Sequence, residues 1–356
     1  MNEILLGHVP EKVRKILVPK SAVCLLNGKD LFRLLRQENM IVMACNARIK
    51  HVIPGIMKAA EELDAVVAFE LTGTEGGYTG QTPDIYVKTI IDCAERCSFS
   101  KPFIIHGDHI TVRDTTAGEL AAAERLLQAE IEAGFTSFAL DASFNPVADN
   151  IRILHLLSQQ LIADGYGLEV ELGEVKPVGS ESNLTTVAET ETFLSGLAAL
   201  GVHPDLLAID NGSKSGNYLE GEMVRIDLDR TREIYQTARE FGLTGLVQHG
   251  ITGTPIRIVG KLAEYGIRKG NIGTLWQNVA HAGLPLELMD TMRQWARENK
   301  KDIKYASGVF KAEIDAIPEE NARQIVEMAY REAKEFLTAF NSKGSAGKLA
   351  SLLGGV

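Results

Sequence analysis

The sequence has little of what marks membrane, secreted or nucleic-acid-binding proteins. It holds no apolar run of about 18 residues, so no transmembrane helix is predicted. Four cysteines are too few for a disulfide framework and favour thiols in a reducing compartment. The 37 Lys and Arg are outnumbered by 47 Asp and Glu, a poor balance for binding nucleic acid. The first ten residues lack the apolar stretch of a signal peptide. We therefore expect a cytoplasmic protein that binds neither membranes nor nucleic acids.

Short apolar or β-branched runs recur along the chain, and amphipathic helical patterns follow them. Near-continuous apolar runs are typical of parallel strands that are covered on both faces. The predicted strands are 41–46, 66–71, 102–106, 137–141, 168–172, 206–211, 245–249 and 270–274. Eight such units predict an α/β fold, the (β/α)₈ or TIM barrel. An open doubly wound sheet is the alternative, but no glycine-rich dinucleotide fingerprint follows the first strand.

The flanks of the barrel are expected to be helical extensions of a single domain over residues 1–356. The barrel itself covers about 41–285, and a helix at 28–37 precedes it. Residues 286–341 are predicted to be helical, with Pro318 at the start of a long helix. The tail at 342–356 is rich in Gly, Ser and Ala, and we expect it to be flexible and loosely held.

Reactive side chains gather at the predicted carboxyl ends of the strands, where TIM barrels carry their active sites. They are Asn46, Glu70, Thr72, Asp108, His109, Asp141, Glu171, Asn211, His249, Asn271 and Thr274. Two imidazoles and a carboxylate suit zinc or a similar divalent ion, which makes His109, His249 and Glu171 candidate ligands. Asp108 adjoins one of them and could move a proton on the substrate. The alternative is that these are hydrogen-bonded loop residues without a metal.

Glycine-rich segments follow the last three predicted strands. Backbone N–H groups of such segments can hold a phosphate, and the last strands are the usual phosphate end of these barrels. The candidates are Lys214, Ser215, Gly216, Gly250, Thr252, Gly253, Asn271 and Thr274. Glycine loops are also simply turns. A further stretch at 76–80 is predicted to be a mobile active-site loop or a long turn.

The motifs at the predicted strand ends resemble those of the metal-dependent class II aldolases, the family of fructose-bisphosphate and tagatose-bisphosphate aldolases. The resemblance covers about residues 21–285. The matching motifs are ACN at 44–46, AAE at 59–61, HGDH at 106–109, LDAS at 140–143, LEVELG at 168–173, GNY at 216–218, HGITG at 249–253 and NIGT at 271–274. Their order and spacing together are specific. The 76–80 stretch also resembles the non-catalytic partner subunit of tagatose-bisphosphate aldolase.

The resemblance implies reversible aldol cleavage of a phosphorylated ketose through an enediolate, and hence a lyase of carbohydrate metabolism such as glycolysis. It implies that Asp108 protonates and deprotonates the substrate, that His109 and His249 bind zinc, and that Glu171 lies beside or on the metal. The positions implied to hold the substrate and its phosphate are Asn46, Thr72, Gly250, Thr252, Asn271 and Thr274. The small-molecule partner is then a phosphorylated sugar. A homo-oligomer is also expected, although a monomer would bury the C-terminal helices equally well.

Two positions depart from the family pattern. Ser215 stands where the family has its third zinc-binding His. Either Glu171 completes the metal site, or the metal binds weakly or is absent. Gly273 stands where the family has an Asp that helps to place the ketose hydroxyls, so the substrate need not be fructose 1,6-bisphosphate. Two other hypotheses follow: a Schiff-base aldolase that uses Lys214, and a catalytically silent subunit that supports a partner aldolase.

Overall fold

The computed structural model describes residues 2–173, 177, 183–217 and 225–355. Its parallel strands each pair with the next, and β1 also pairs with β8, so the sheet closes into a barrel. The strands are β1 (Val42–Asn46), β2 (Val67–Thr72), β3 (Phe103–Thr111), β4 (Ser137–Asp141), β5 (Gly167–Glu171), β6 (Leu206–Ala208), β7 (Gly245–Gln248) and β8 (Ile267–Ile272). The predicted (β/α)₈ fold is confirmed.

Helices surround this barrel and extend it at both ends of the chain. They are α1 (Asn2–Gly7), α2 (Glu11–Arg14), α3 (Gly28–Gln37), α4 (Ile53–Leu63), α5 (Gly73–Thr79), α6 (Pro83–Arg96), α7 (Ala117–Ala133), α8 (Val147–Ala163), α9 (Val187–Ala199), α10 (Leu228–Glu240), α11 (Ile256–Val259), α12 (Thr274–Gly283), α13 (Leu286–Glu298), α14 (Ala306–Val309), α15 (Lys311–Asp315), α16 (Glu319–Ala339) and α17 (Ser345–Gly354). Short 3₁₀ helices lie at Lys50–Val52, Leu262–Tyr265 and Ile303–Tyr305. Within the described part of the chain, none of the helices has the length and apolarity needed to cross a membrane.

Strand β3 is longer than the sequence predicts, and this places the HGDH motif inside the strand instead of on the loop after it. Its pairing with β4 shifts register between Gly107 and Ile110, and His109 has a positive φ of 48°. Such an irregularity re-aims the side chains of a strand. The extension past His106 was missed because the motif is polar, whereas Ile110 beyond it is fully buried and continues the strand.

Residues 76–79 of the predicted loop or turn belong to a helix, which ends at the left-handed Gly80. Helix α5 begins after Thr72, whose side chain accepts a hydrogen bond from the Glu75 backbone N–H, and the Glu75 carboxylate accepts one from the Thr72 N–H. This reciprocal capping box satisfies two backbone donors at the helix start. The cap thus offsets the poor helix propensity of the glycines in α5.

The C-terminal tail also differs from the prediction of a loosely held segment. Helix α17 buries Ala346, Leu349 and Ala350, which lie on one face at helical spacing. Two backbone amides, at Ala346 and Gly347, donate to the backbone and side chain of Asp64, respectively. Small residues allow close packing here, so a composition that suggested flexibility forms a docked helix. Val356 lies outside the described residues.

Candidate active site

A pocket at the carboxyl end of the barrel brings together most of the predicted site residues. Its lining includes Asn46, Thr72, Asp108, His109, Glu171, Ser215, Gly216, His249, Gly250, Thr252, Asn271 and Thr274. Asn211, Lys214 and Gly253 are not among its lining residues. Asn211 is instead buried beneath the rim, where its amide donates to Gln248 Oε1 at 2.7 Å. The motif residue Tyr218 lies outside the described residues.

Three of the lining residues form a group that could hold a metal ion. One ligand atom each of His109, Glu171 and His249 lie within 4.8 Å of one another. Strands β3 and β5 supply His109 and Glu171, and His249 directly follows β7. In the described structure His249 Nε2 and Glu171 Oε1 are buried without a hydrogen-bond partner. Buried polar atoms without a partner are costly, and a divalent ion would compensate them. The donor set therefore fits a metal.

Charge in this group is arranged so that one imidazole is neutral. Burial and the neighbouring His109 lower the pKa of His249 to about 3, which leaves the neutral form that ligates metals. Burial alone would lower the pKa of His109, but the carboxylates of Glu171 and Asp108 raise it well above its usual value. The Glu171 carboxylate lies 2.8 Å from His109 Nδ1, and Asp141 lies 3.5 Å from the same nitrogen.

Asp108 is a buried carboxylate held by two amides. Asn46 Nδ2 donates to its Oδ2 and Asn271 Nδ2 to its Oδ1, each at 3.1 Å. Burial would raise the pKa of Asp108, but the positive charges of His109 and Lys269 hold it below its ordinary value. The carboxylate is therefore ionised and fixed in place, as a proton acceptor at neutral pH must be.

A second charged group lies inside the barrel, where Glu70 is fully buried and does not line the pocket, although the sequence analysis placed it among the reactive residues of the rim. The Lys269 ammonium on β8 lies 3.1 Å from Glu70 on β2 and 2.9 Å from Glu169 on β5. His106 Nε2 lies 3.4 Å from the same Glu169 carboxylate. We call these four residues the interior cluster. The sequence analysis did not place Lys269 in a strand, because the last strand was predicted to begin at 270, whereas β8 begins at Ile267.

Further lining residues were also missed, because they follow the strands at variable distances. Arg48 lies two residues after β1, and its guanidinium pairs with Glu75 of α5. Arg113 lies at the pocket mouth with its guanidinium 5.9 Å from the ring centroid of Phe144. Charged side chains on loops give no periodic signal, so only the fold places them.

Glycines shape the opposite side of the pocket. Gly250 has a φ of 66°, and a Cβ at this position would lie 2.4 Å from the Lys214 carbonyl oxygen. Only glycine lets these two loops approach so closely. The Thr252 hydroxyl accepts a hydrogen bond from the Leu275 N–H at 3.1 Å, near the start of α12. The loops after β6 and β7 are thus joined to a helix N-terminus.

A TIM barrel with two histidines and a carboxylate beside an ionised aspartate defines a metal-dependent enzyme. A family model described as fructose-bisphosphate aldolase class-II matches residues 26–345. The chain therefore belongs to the class II fructose-bisphosphate aldolase family, whose members are metal-dependent aldolases and hence lyases. This confirms the resemblance found in the sequence.

Known relatives agree with this membership. The chain is 27% identical over 253 residues to a fructose-bisphosphate aldolase of Giardia intestinalis. The aligned region covers 69% of this chain and 72% of that protein. A fructose-bisphosphate aldolase of Geobacillus stearothermophilus is 28% identical over 226 residues, 62% of this chain and 70% of its own length.

Two solved structures share the fold. The YdjI aldolase of Escherichia coli K12 superposes with a TM-score of 0.66 at 18% identity, over 90% of this chain and 99% of that one. A fructose-bisphosphate aldolase of Campylobacter jejuni gives a TM-score of 0.63 at 18% identity, over 90% and 96% of the two chains.

Proposed function

We propose that this aldolase reversibly cleaves a phosphorylated ketose, with His109, His249 and Glu171 as ligands of a divalent ion and Asp108 as the acid–base group. The observation that carries the proposal is the convergence of His109, Glu171 and His249 beside a fixed, ionised carboxylate. Within this group, Glu171 Oε1 and His249 Nε2 are buried without a hydrogen-bond partner in the described structure. A divalent ion bound there would supply Lewis-acid polarisation of the substrate carbonyl. Because Ser215 replaces the usual histidine, Glu171 serves as the third ligand.

Asp108 has the proton role in this proposal. In the cleavage direction its carboxylate takes the proton of the hydroxyl on the carbon beyond the scissile C–C bond. The C–C bond breaks, its electron pair passes to the ketone half as the enediolate, and the carbon that carried the hydroxyl becomes the aldehyde. The amides of Asn46 and Asn271 hold both carboxylate oxygens, so the acceptor is already oriented when the substrate arrives. Glu171 is a further carboxyl group of the site, and it assists catalysis from its place next to His109.

The phosphate of the ketose is assigned to the glycine-shaped side of the pocket. Ser215, Gly216, Gly250 and Thr252 line it there, and α12 begins nearby at Thr274. Backbone N–H groups at a helix start favour an anion. We further propose that the metal is zinc, that the enzyme acts in glycolysis, and that it is a homo-oligomer located in the cytoplasm.

The test is a cleavage assay on a panel of phosphorylated ketoses. Treatment with EDTA should abolish the cleavage, and added Zn²⁺ should restore it. Cleavage that resists EDTA, together with borohydride trapping of a substrate on Lys214, would contradict the proposal and support the Schiff-base alternative. No turnover by the metal-loaded chain on any ketose phosphate would favour the silent-subunit alternative.

A further inference from the structure

A second cavity lies between helix α6 and the C-terminal helices α14 and α15. Its volume is about 290 Å³, enough for a small metabolite. Residues of α6 line one wall, and residues of α14 and α15 line another. The proposed aldol cleavage gives this cavity no role.

The second cavity borders the active-site pocket but is separate from the reacting groups. Arg48 lines both, and α5 contributes to both, with Glu75 in the active-site pocket and Thr79 in the second cavity. The Arg48 guanidinium pairs with Glu75, which balances its charge. Neither Asp108 nor any of the three metal ligands is among the residues that line the second cavity. A molecule bound there is therefore not positioned for cleavage.

Positive charge is in excess in the second cavity, although the net charge of the chain is −10. The lining carries Lys50, Lys88 and Lys311 against Asp92 and Asp315. A locally positive cavity in an acidic protein attracts anions that the rest of the surface repels. The charge balance therefore favours an anionic ligand.

The excess charge lies where two lysines share one carboxylate. Asp315 lies 3.2 Å from Lys50 Nζ and 2.7 Å from Lys311 Nζ. Each ammonium has three N–H donors, so both lysines keep donors for a further acceptor. Their side chains are 36% and 33% exposed, which leaves them accessible to a ligand. Lys50 and Lys311 together thus offer a position for a phosphate group.

The rest of the lining suits a ligand that also carries hydroxyl groups. Ser307 is buried, and its oxygen accepts a hydrogen bond from Gln277 Nε2 at 3.1 Å, so its own proton can be donated to a ligand. The two aspartates of the lining can accept hydrogen bonds from hydroxyl groups. Ile85 and Ile314 add apolar surface for the C–H groups of a sugar.

We propose that this cavity is a second ligand site, which binds a small phosphate-bearing carbohydrate with its phosphate between Lys50 and Lys311. Charge-assisted hydrogen bonds from the two ammonium groups hold the phosphate. The aspartates and Ser307 bind the sugar hydroxyls. A neutral sugar lacks the anion, and inorganic phosphate lacks the hydroxyls, so each binds more weakly than the combined molecule.

The test measures how far a ligand protects individual lysines of the full chain from an acetylating reagent, with peptide mass spectrometry as the readout. The probe is glucose 6-phosphate, titrated at constant ionic strength. At ten times the dissociation constant about one site in eleven is empty, so acetylation of Lys50 and Lys311 should slow by about tenfold. Glucose at the same concentration should leave both rates unchanged, and inorganic phosphate should protect only at higher concentration.

Lys58 and Lys334 are the matched control lysines, because each is exposed and paired with a carboxylate elsewhere on the surface, and their acetylation rates should not change. In Lys311→Met, protection of Lys50 should require at least about tenfold more glucose 6-phosphate, since a hydrogen bond to a charged group is lost. Lys58→Met should keep the wild-type midpoint.

Three results would overturn the inference: no protection of Lys50 and Lys311, equal protection of Lys58 and Lys334, or equal protection by glucose. Protection should persist after EDTA treatment, because no metal ligand lines the cavity. Protection that EDTA abolishes would place the probe in the active-site pocket and would also contradict the inference. The outcome is thus independent of the cleavage assay that tests the proposed function.

Discussion

The interior cluster and the rim group, which consists of His109, Glu171 and His249, contain similar residue types at two depths of one barrel. They differ in which positive charge balances their buried carboxyl groups. In the interior, Glu70 and Glu169 face the Lys269 ammonium, so the cluster contains its own cation. At the rim, the ligand atoms of His109, Glu171 and His249 converge, and the ion pairs of Glu171 and Asp141 in the described structure are with His109 and not with a lysine or arginine. The interior thus contains a lysine for its carboxyl groups, whereas the rim residues face the pocket that the substrate can reach.

Geometry alone does not separate the two regions. Ligand atoms of Glu70, His106 and Asp108 also lie within 4.8 Å of one another, as the rim atoms do. Lysine makes the difference, since its ammonium lies against both carboxyl groups and keeps the pKa of Glu169 low, at about 2, despite burial. Burial and the nearby Asp108 raise the pKa of Glu70 well above its usual value. Residue types that could bind a metal therefore indicate a metal site only when no side-chain cation is already present.

The largest expected effect, a loss of turnover, comes from removing the negative charge of Asp108, which lies between the two regions. Asp108→Asn keeps the shape of the side chain and one of the two amide contacts, because an amide NH2 group cannot accept the second hydrogen bond. It removes the proton acceptor, so kcat should fall by about 10²- to 10⁴-fold. Metal content should stay at the wild-type value, because the three ligands are intact. Normal turnover in this variant, measured beside its metal content, would show that Asp108 is not the acid–base group.

Removal of the interior cation should affect stability instead. Lys269→Met leaves the buried Glu169 carboxylate without its cation, which should lower the free energy of unfolding by about 3–5 kcal/mol. Urea unfolding followed by circular dichroism measures this change. The control is Lys311→Met, since Lys311 pairs with Asp315 at the partly exposed surface and should matter far less. Equal shifts in the two variants would mean that Lys269 does not balance the interior charge.

The metal ligands give the next test of the comparison. His249→Ala should weaken the binding of Zn²⁺ by at least about 100-fold, more than the loss of an outer partner costs. Competition with a chromophoric chelator measures the affinity. Glu70→Gln is the matched variant from the interior, and it should bind Zn²⁺ within about tenfold of the wild-type affinity. If Glu70→Gln weakens Zn²⁺ binding more than His249→Ala does, the metal site lies in the interior cluster and not at the rim.

The barrel was predictable from sequence because its strands are continuous apolar runs of regular spacing, and the rim residues followed from the strand ends. Lys269 was not, since it precedes the predicted start of its strand at 270, and the polar sequence of β8 does not reveal which carboxylates lie across the barrel. Arg48 and Glu75 were missed because their pairing depends on the capping box that makes 73–79 a helix. Helix α17 was missed because small residues suit both flexible tails and close packing. Contacts between distant segments decided each of these cases.

We expect His109, Glu171 and His249 at the rim to hold a divalent ion and the interior cluster to hold none. Elemental analysis of the chain, purified without chelators or a polyhistidine tag, distinguishes the two places when wild type, His249→Ala and Glu70→Gln are measured together. About one divalent ion per chain should be found in the wild type and in Glu70→Gln, with a large loss in His249→Ala. A wild-type chain without metal after incubation with Zn²⁺, or one whose metal survives His249→Ala, would contradict this expectation.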